Sequence, residues 1–182
     1  MKHDDTTQGD GRRQRTRQAI TDALIRLMSD QRYSAIRTTD LIQAAGVGRS
    51  TFYEHFQSRE AVLETIVEPI LTPLVLAGAG LGNTARLKVL LDHLWDRRAL
   101  ARHLFAQPLQ LRLKRSLAVM IEGRLEAGDE HAIPSALKAG GAAAAQLTML
   151  QMWLPGEAQC TPEALAMALV GARGQISRVP TL

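Results

Sequence analysis

Apolar residues return along this chain at steps of three and four, and nowhere do they alternate in the manner of a half-buried strand. Ile20, Ala23, Leu24, Leu27 and Met28 share one side of a helical wheel while Gln18, Asp22 and Arg26 face away, which predicts an amphipathic helix. A second, shorter helix is expected where Leu41, Ile42 and Ala45 line up, closing at Gly46, the residue that most easily turns left-handed past a helix end. Val47 can then fill the angle before a third helix from about Arg49, whose Phe52 and Phe56 are four apart and so share an inward face. Arg49, Ser50, Thr51, Tyr53 and His55 are left outside, and Tyr33 and Ile36 are placed to bridge the first helix to this pair.

Ser58 reads as the cap of a fourth helix that should stop or kink near Pro69, and residues 77–82 form a glycine-rich break. Helical patches follow at about 84–95, 98–106, 109–127, 135–153 and 162–174. Pro108, Gly128, Asp129, Pro134 and the pair Pro155-Gly156 punctuate them, and Thr161-Pro162-Glu163 suits a helix start. The prediction is an all-α protein in three parts: a flexible tail over 1–11, a three-helix amino-terminal domain over 12–57, and a linker helix with a carboxy-terminal bundle over 58–182.

Composition narrows the function classes. The 182 residues suffice for one substantial domain or two small ones, and 46% hydrophobic with 22% charged residues describes a folded, water-soluble chain. A net charge of +4 is too small for a uniformly basic coat, so any nucleic-acid contact must be local. Residues 11–60 hold nine arginines against five acids, including the run Arg12, Arg13, Arg15 and Arg17, whereas residues 61–182 hold twelve cations against ten acids. That run suits a phosphate backbone, and equally a solvated helix start. Cys160 is the only cysteine, no leader of secretory type precedes Arg12, and the apolar stretch 133–154 is broken by Pro134, Lys138, Gln146 and Gln151; a cytoplasmic protein without a membrane span is expected.

Two short helices around a tight turn are one way to push a helix into the DNA major groove, although such pairs also occur as plain core. The stretch Ala-Ala-Gly-Val-Gly-Arg-Ser-Thr-Phe-Tyr-Glu-His-Phe-Gln-Ser-Arg-Glu-Ala-Val-Leu, within residues 36–63, resembles the signature of the tetracycline-repressor (TetR) family of bacterial regulators, in the subset with a Val-Gly-Arg-Ser-Thr-Phe-Tyr recognition helix. The resemblance implies a helix-turn-helix DNA-binding domain followed by a bundle for ligand binding and dimerisation. It puts Thr39, Arg49 and Ser50 at base-reading positions and Thr38, Thr51, Tyr53, His55 and Arg59 at phosphate-contacting ones. Gly48, where many relatives place serine, weakens the helix cap, and Ile42 stands where many carry alanine. Glu54 either accepts from cytosine or is a solvated side chain that repels wrong sequences.

The family likeness further implies a homodimer through residues 135–153 and 162–174, a palindromic or near-palindromic double-stranded operator, and an unidentified small-molecule effector in the bundle. Ala139, Gly140, Gly141 and Ala142 to Ala145 allow backbones to approach closely, which suits such a seam and also suits packing within one subunit. Pocket candidates are Trp95, His103, Phe105, Met120, Met149, Met152 and Trp153, with Leu104 and Leu117 beside them, though such residues at helical spacing ordinarily serve as packing. His93 and His103 are ten apart with no Cys or His nearby, so no metal site is expected, and neither is a cofactor. The chain carries no Gly-rich phosphate loop, Gly-x-Ser-x-Gly turn, His-Glu-x-x-His pair or Cys-x-x-Cys, and Asp92 and Asp96 read as a solvated face. A non-enzymatic regulator is expected; a ligand-independent dimeric DNA-binding protein and a helical enzyme or carrier with a vestigial hairpin are the alternatives.

Overall fold

The computed structural model describes residues 5–106, 109–125 and 133–176, and all regular structure among them is helical. Among these residues nine α-helices run in the order α1 Asp5–Asp30, α2 Thr38–Ala45, α3 Arg49–His55, α4 Arg59–Gly78, α5 Thr84–Asp96, α6 Arg98–Leu104, α7 Leu109–Glu122, α8 Ser135–Trp153 and α9 Pro162–Ile176, with a 3-10 turn at Tyr33–Ala35. The chain divides into two compact units, Met1–Glu68 and Pro69–Leu182, and α4 runs from the first into the second.

The first unit closes on the residues that the periodicity singles out. Ile20, Ala23 and Leu24 of α1, Ile36, Leu41 of α2 and Phe52 of α3 are all fully buried, joined by Met28, Phe56, Val62, Leu63 and Val67. Two differences from expectation stand out. Helix α1 already covers residues 5–11, where a tail was expected; a polar stretch can prolong a helix that the buried face of Ile20 and Leu24 already holds, at one backbone bond per added residue, which apolar periodicity does not register. Residues 1–4 lie outside the described residues.

Helix α4 also continues through Pro69 and Pro73 rather than stopping. Each proline removes one backbone donor. Burial holds the helix together on both sides of them, through Val62, Leu63 and Val67 in the first unit and Leu71, Leu74 and Val75 in the second. Among the described residues α4 alone is long and apolar enough to cross a membrane, and these buried side chains identify it as a core helix of both units.

In the second unit α7 packs along α8 and α5 along α9, with Leu87, Leu91, Leu117, Ile121, Ala139, Ala143, Leu147, Leu150 and Ala166 fully buried or nearly so. Gly78 permits a close approach there, since a Cβ on it would lie 2.5 Å from Ile121 Cδ1 of α7. The predicted start of α9 holds, with Thr161 Oγ1 accepting from the Ala164 N–H at 3.2 Å. Helix α7 ends at Glu122, before residue 127; Pro108, Gly128 and Asp129 lie outside the described residues.

Candidate nucleic-acid interface

Helices α2 and α3 are eight and seven residues long, too short to be stable alone, so their termini decide how they stand. Helix α2 starts with the Arg37 N–H donating to the Asp40 carboxylate at 2.8 Å, the acidic half of a capping box. It stops at Gly46, whose φ of 65° is left-handed, with the Gly46 and Val47 amides returning to the carbonyls of Gln43 and Ile42. Val47 is half-buried in the turn, as expected. Helix α3 begins after Gly48 without a side-chain cap, the consequence expected of glycine there.

Beneath α3 the two phenylalanine rings lie 6.3 Å apart, both buried, and the Tyr53 ring meets Phe52 edge-on at 5.3 Å. On the other face Arg49, Ser50, Tyr53 and Glu54 are exposed, while Thr51 and His55 are half-buried. The Arg49 guanidinium sits over the Tyr53 ring at 5.8 Å, so the forked cation is loosely steered at the first position of the helix. From α2, Thr39 is exposed and Thr38 half-buried at the helix start.

Arg59 has a different setting from the other phosphate candidates. Its guanidinium donates to the carbonyls of Tyr33 and Ile36, pairs with Glu60 at 2.9 Å, and lies 4.2 Å from the centre of the Tyr33 ring. The Tyr33 hydroxyl donates to the same Glu60 carboxylate at 3.2 Å. Hydrogen bonds from Arg59 hold the Glu60 carboxyl below its ordinary pKa, against the opposing effect of burial, while burial raises the Tyr33 phenol. Burial works against the Arg59 charge, but Glu60 and Tyr33 outweigh it and raise the pKa. These contacts engage all three guanidinium nitrogens and fasten the 3-10 turn to α4, which leaves Arg59 fewer donors for a phosphate than its exposed neighbours on α3.

The family model for bacterial regulatory proteins of the tetR family matches residues 20–66, the stretch that contains this whole arrangement. The first unit carries a TetR-family amino-terminal domain. The HTH-type transcriptional regulator EthR of Mycolicibacterium smegmatis is 38% identical over 53 residues, which cover 29% of this chain and 24% of that protein. The match thus spans about a quarter of the curated relative's length. Among solved structures, a TetR transcriptional regulator from Streptococcus agalactiae is similar over 92% of this chain and 98% of its own, with 27% identity and a TM-score of 0.61. The dihydroxyacetone kinase operon activator DhaS shares the fold at 20% identity, with a TM-score of 0.53 over 88% of this chain and 95% of its own. The all-helical TetR architecture therefore extends beyond the matched domain.

In the second unit of this TetR-type fold the seven pocket candidates are distributed unevenly. Trp95 and Trp153 are brought together, with ring centres 4.8 Å apart, and the Trp153 indole donates to the Cys160 carbonyl at 3.0 Å. Phe105 is buried and its carbonyl accepts from Gln151; Met120 and Met149 are half-buried; Met152 and His103 are exposed. Leu104 and Leu117 are core, and His93 is exposed. No group of metal-ligating side chains is present among the described residues.

Sequence reasoning passed over Gln146. It is the one buried polar side chain among the described residues, 1% exposed on α8, and its Nε2 donates to the Leu74 carbonyl of α4 at 3.0 Å. Its Oε1 is buried without a hydrogen-bond partner. The signal was present, since Gln146 interrupts the apolar stretch 133–154, but periodicity alone does not say whether such a break faces inward.

Proposed function

We propose that this chain is a homodimeric transcriptional regulator that reads a two-fold DNA operator with α3 and leaves it when a small molecule occupies the second unit. The observation that carries the reading is the division of α3 into a buried phenylalanine face and an exposed face of Arg49, Ser50 and Tyr53, inside a TetR-family domain. Arg49 and Ser50, with Thr39 of α2, read base edges; Thr38, Thr51, Tyr53 and His55 contact phosphates. A bidentate arginine contact to guanine discriminates by roughly 1 to 3 kcal/mol, too little for one helix to find a site, which is the physical case for two copies.

Glycines on α8 and α9 support the dimer. A Cβ added to Gly140 or Gly171 would meet nothing within 4 Å inside the chain, yet each glycine costs its helix roughly 1 kcal/mol relative to alanine. A second copy packed against 135–153 and 162–174 supplies the reason for such small residues. Leu137, Met152 and Met167, all exposed on these two helices, add the apolar area.

Gln146 supports the sensing half, because an unpaired buried acceptor costs about 1 to 3 kcal/mol and a ligand N–H or O–H would recover it. The ligand releases DNA only by the difference in its affinity for the two spacings of the recognition helices. The test is selection of bound duplexes from a random pool, followed by a panel of small hydrophobic compounds scored for release of the selected operator. A selected site with two inverted halves and at least one releasing compound is expected. A selected site that no compound releases leaves the ligand-independent regulator, and no selected sequence at all refutes the DNA-reading role.

A further inference from the structure

The first unit contains a device that the DNA-reading assignment does not use. Two arginines of α1 each reach the carboxy-terminal end of one helix of the hairpin. Arg17 Nη1 donates to the carbonyl of His55, the last residue of α3, at 2.9 Å, and its guanidinium lies 4.3 Å from the centre of the buried Phe56 ring. Arg26 Nη2 donates to the carbonyl of Ala44, the penultimate residue of α2, at 3.2 Å. The two arginines are nine positions apart, about two and a half helical turns, so they leave α1 on opposite sides.

Both guanidiniums therefore meet a helix end whose unpaired carbonyls carry partial negative charge, a favourable pairing that also satisfies an acceptor. For α3 the bond matters more than for a long helix. Its seven residues make two turns and its start has no side-chain cap, so its direction depends on the Phe52 and Phe56 anchors and on what grips its far end. Arg17 grips that end from 38 residues away in the chain.

We infer that Arg17 and Arg26 form a carbonyl clamp that fixes the angle between α2 and α3, so that they govern operator recognition as positioning residues without touching DNA. The inference rests on the DNA-reading role proposed above. It separates Arg17 from the rest of its basic run: Arg12 and Arg13 are exposed on the same helix and remain suited to phosphate, whereas the Arg17 guanidinium is part-buried and turned to the protein's own backbone.

Salt dependence distinguishes a clamp from a phosphate contact. Affinities of the full-length wild type, Arg17→Met, Arg26→Met and the double variant Arg12→Ala/Arg13→Ala are measured on the selected operator and on a scrambled duplex over a potassium chloride series. The clamp predicts that Arg17→Met loses roughly tenfold or more on the operator, the scale of a hydrogen bond from a charged donor, and little on the scrambled duplex, with the salt slope kept. Arg12→Ala/Arg13→Ala should instead weaken both duplexes and lower the slope by about one for each phosphate that is no longer neutralised. Equal losses on both duplexes with a reduced slope for Arg17→Met, or no loss on the operator, overturn the clamp.

Hydrogen exchange gives a readout independent of DNA. Arg17→Met should speed exchange of the Phe56 amide, which closes the end of α3 on the Phe52 carbonyl, with Arg17→Lys closer to wild type if the methionine variant folds poorly. Unchanged α3 exchange in both variants overturns the clamp, whereas a wild type that selects no DNA sequence overturns the regulator role alone.

Discussion

Replacing Gln146 by methionine should stabilise the second unit. Methionine nearly matches glutamine in length and carries no group that demands a hydrogen bond. The substitution removes a buried Oε1 that has no partner, which relieves about 1 to 3 kcal/mol, and it deletes the Nε2 bond to the Leu74 carbonyl, a net loss of about 0.5 to 1.5 kcal/mol. The balance favours the variant by about 1 kcal/mol. Both tryptophans, Trp95 and Trp153, lie in the second unit, so intrinsic fluorescence in a urea titration follows that unit directly. The midpoint should rise with an unchanged slope, and a thermal scan should move by roughly 2 to 4 °C at this chain size. The same variant should respond less to any releasing compound that donates a hydrogen bond. A midpoint lower than wild type by the equivalent of about 1 kcal/mol or more would refute the reasoning, because it would mean that Oε1 already holds a structural partner such as an internal water.

Three further outcomes follow from the geometry. Gly46→Ala forces an alanine to a φ of 65°, which should cost about 1 to 2 kcal/mol in chemical denaturation and reduce DNA binding by loosening the hairpin; equal stability would contradict the turn. The Glu60 carboxyl is held below its ordinary pKa by Arg59, so it contributes stability above the unfolded carboxylate range and loses it as pH falls through the lower, folded value. Urea midpoints between neutral pH and pH ~3 should therefore fall more steeply for wild type than for Glu60→Gln, by well under ~1 kcal/mol because the pair is partly solvated. Gly140→Leu should leave the chain folded, since a Cβ there meets nothing within 4 Å in the chain, yet shift it from dimer to monomer in sedimentation; a persistent dimer would move the seam elsewhere.

Much of the fold was legible because the helices bury single, regularly spaced faces. Ile20, Leu24, Leu41, Phe52 and Phe56 announced the first unit, and Gly46 its turn, since each of those choices has one local physical reason. Length at the ends was less legible. Helix α1 extends through polar residues that no core pattern marks, and α4 passes Pro69 and Pro73 because burial on both sides outweighs two missing donors. Exposure at the candidate interface was read well for Arg49, Ser50 and Tyr53, which lie opposite the phenylalanines. Arg59 and Arg17 were harder. An arginine in a basic stretch looks the same in sequence whether it faces a phosphate or a carbonyl of its own chain, and here Tyr33, Ile36 and His55 supply carbonyls that only the tertiary structure brings near.

The central claim is that the exposed side of α3 reads DNA bases, and the measurement that meets it most directly is the sequence preference of Arg49→Ala. Wild type and variant are each offered a random duplex pool and the enriched sequences compared. The account predicts a two-fold site for wild type, and for the variant weaker enrichment with discrimination lost at one base pair in each half, about 1 to 3 kcal/mol there. Identical preferences for the two proteins, or no preference in either, would contradict it.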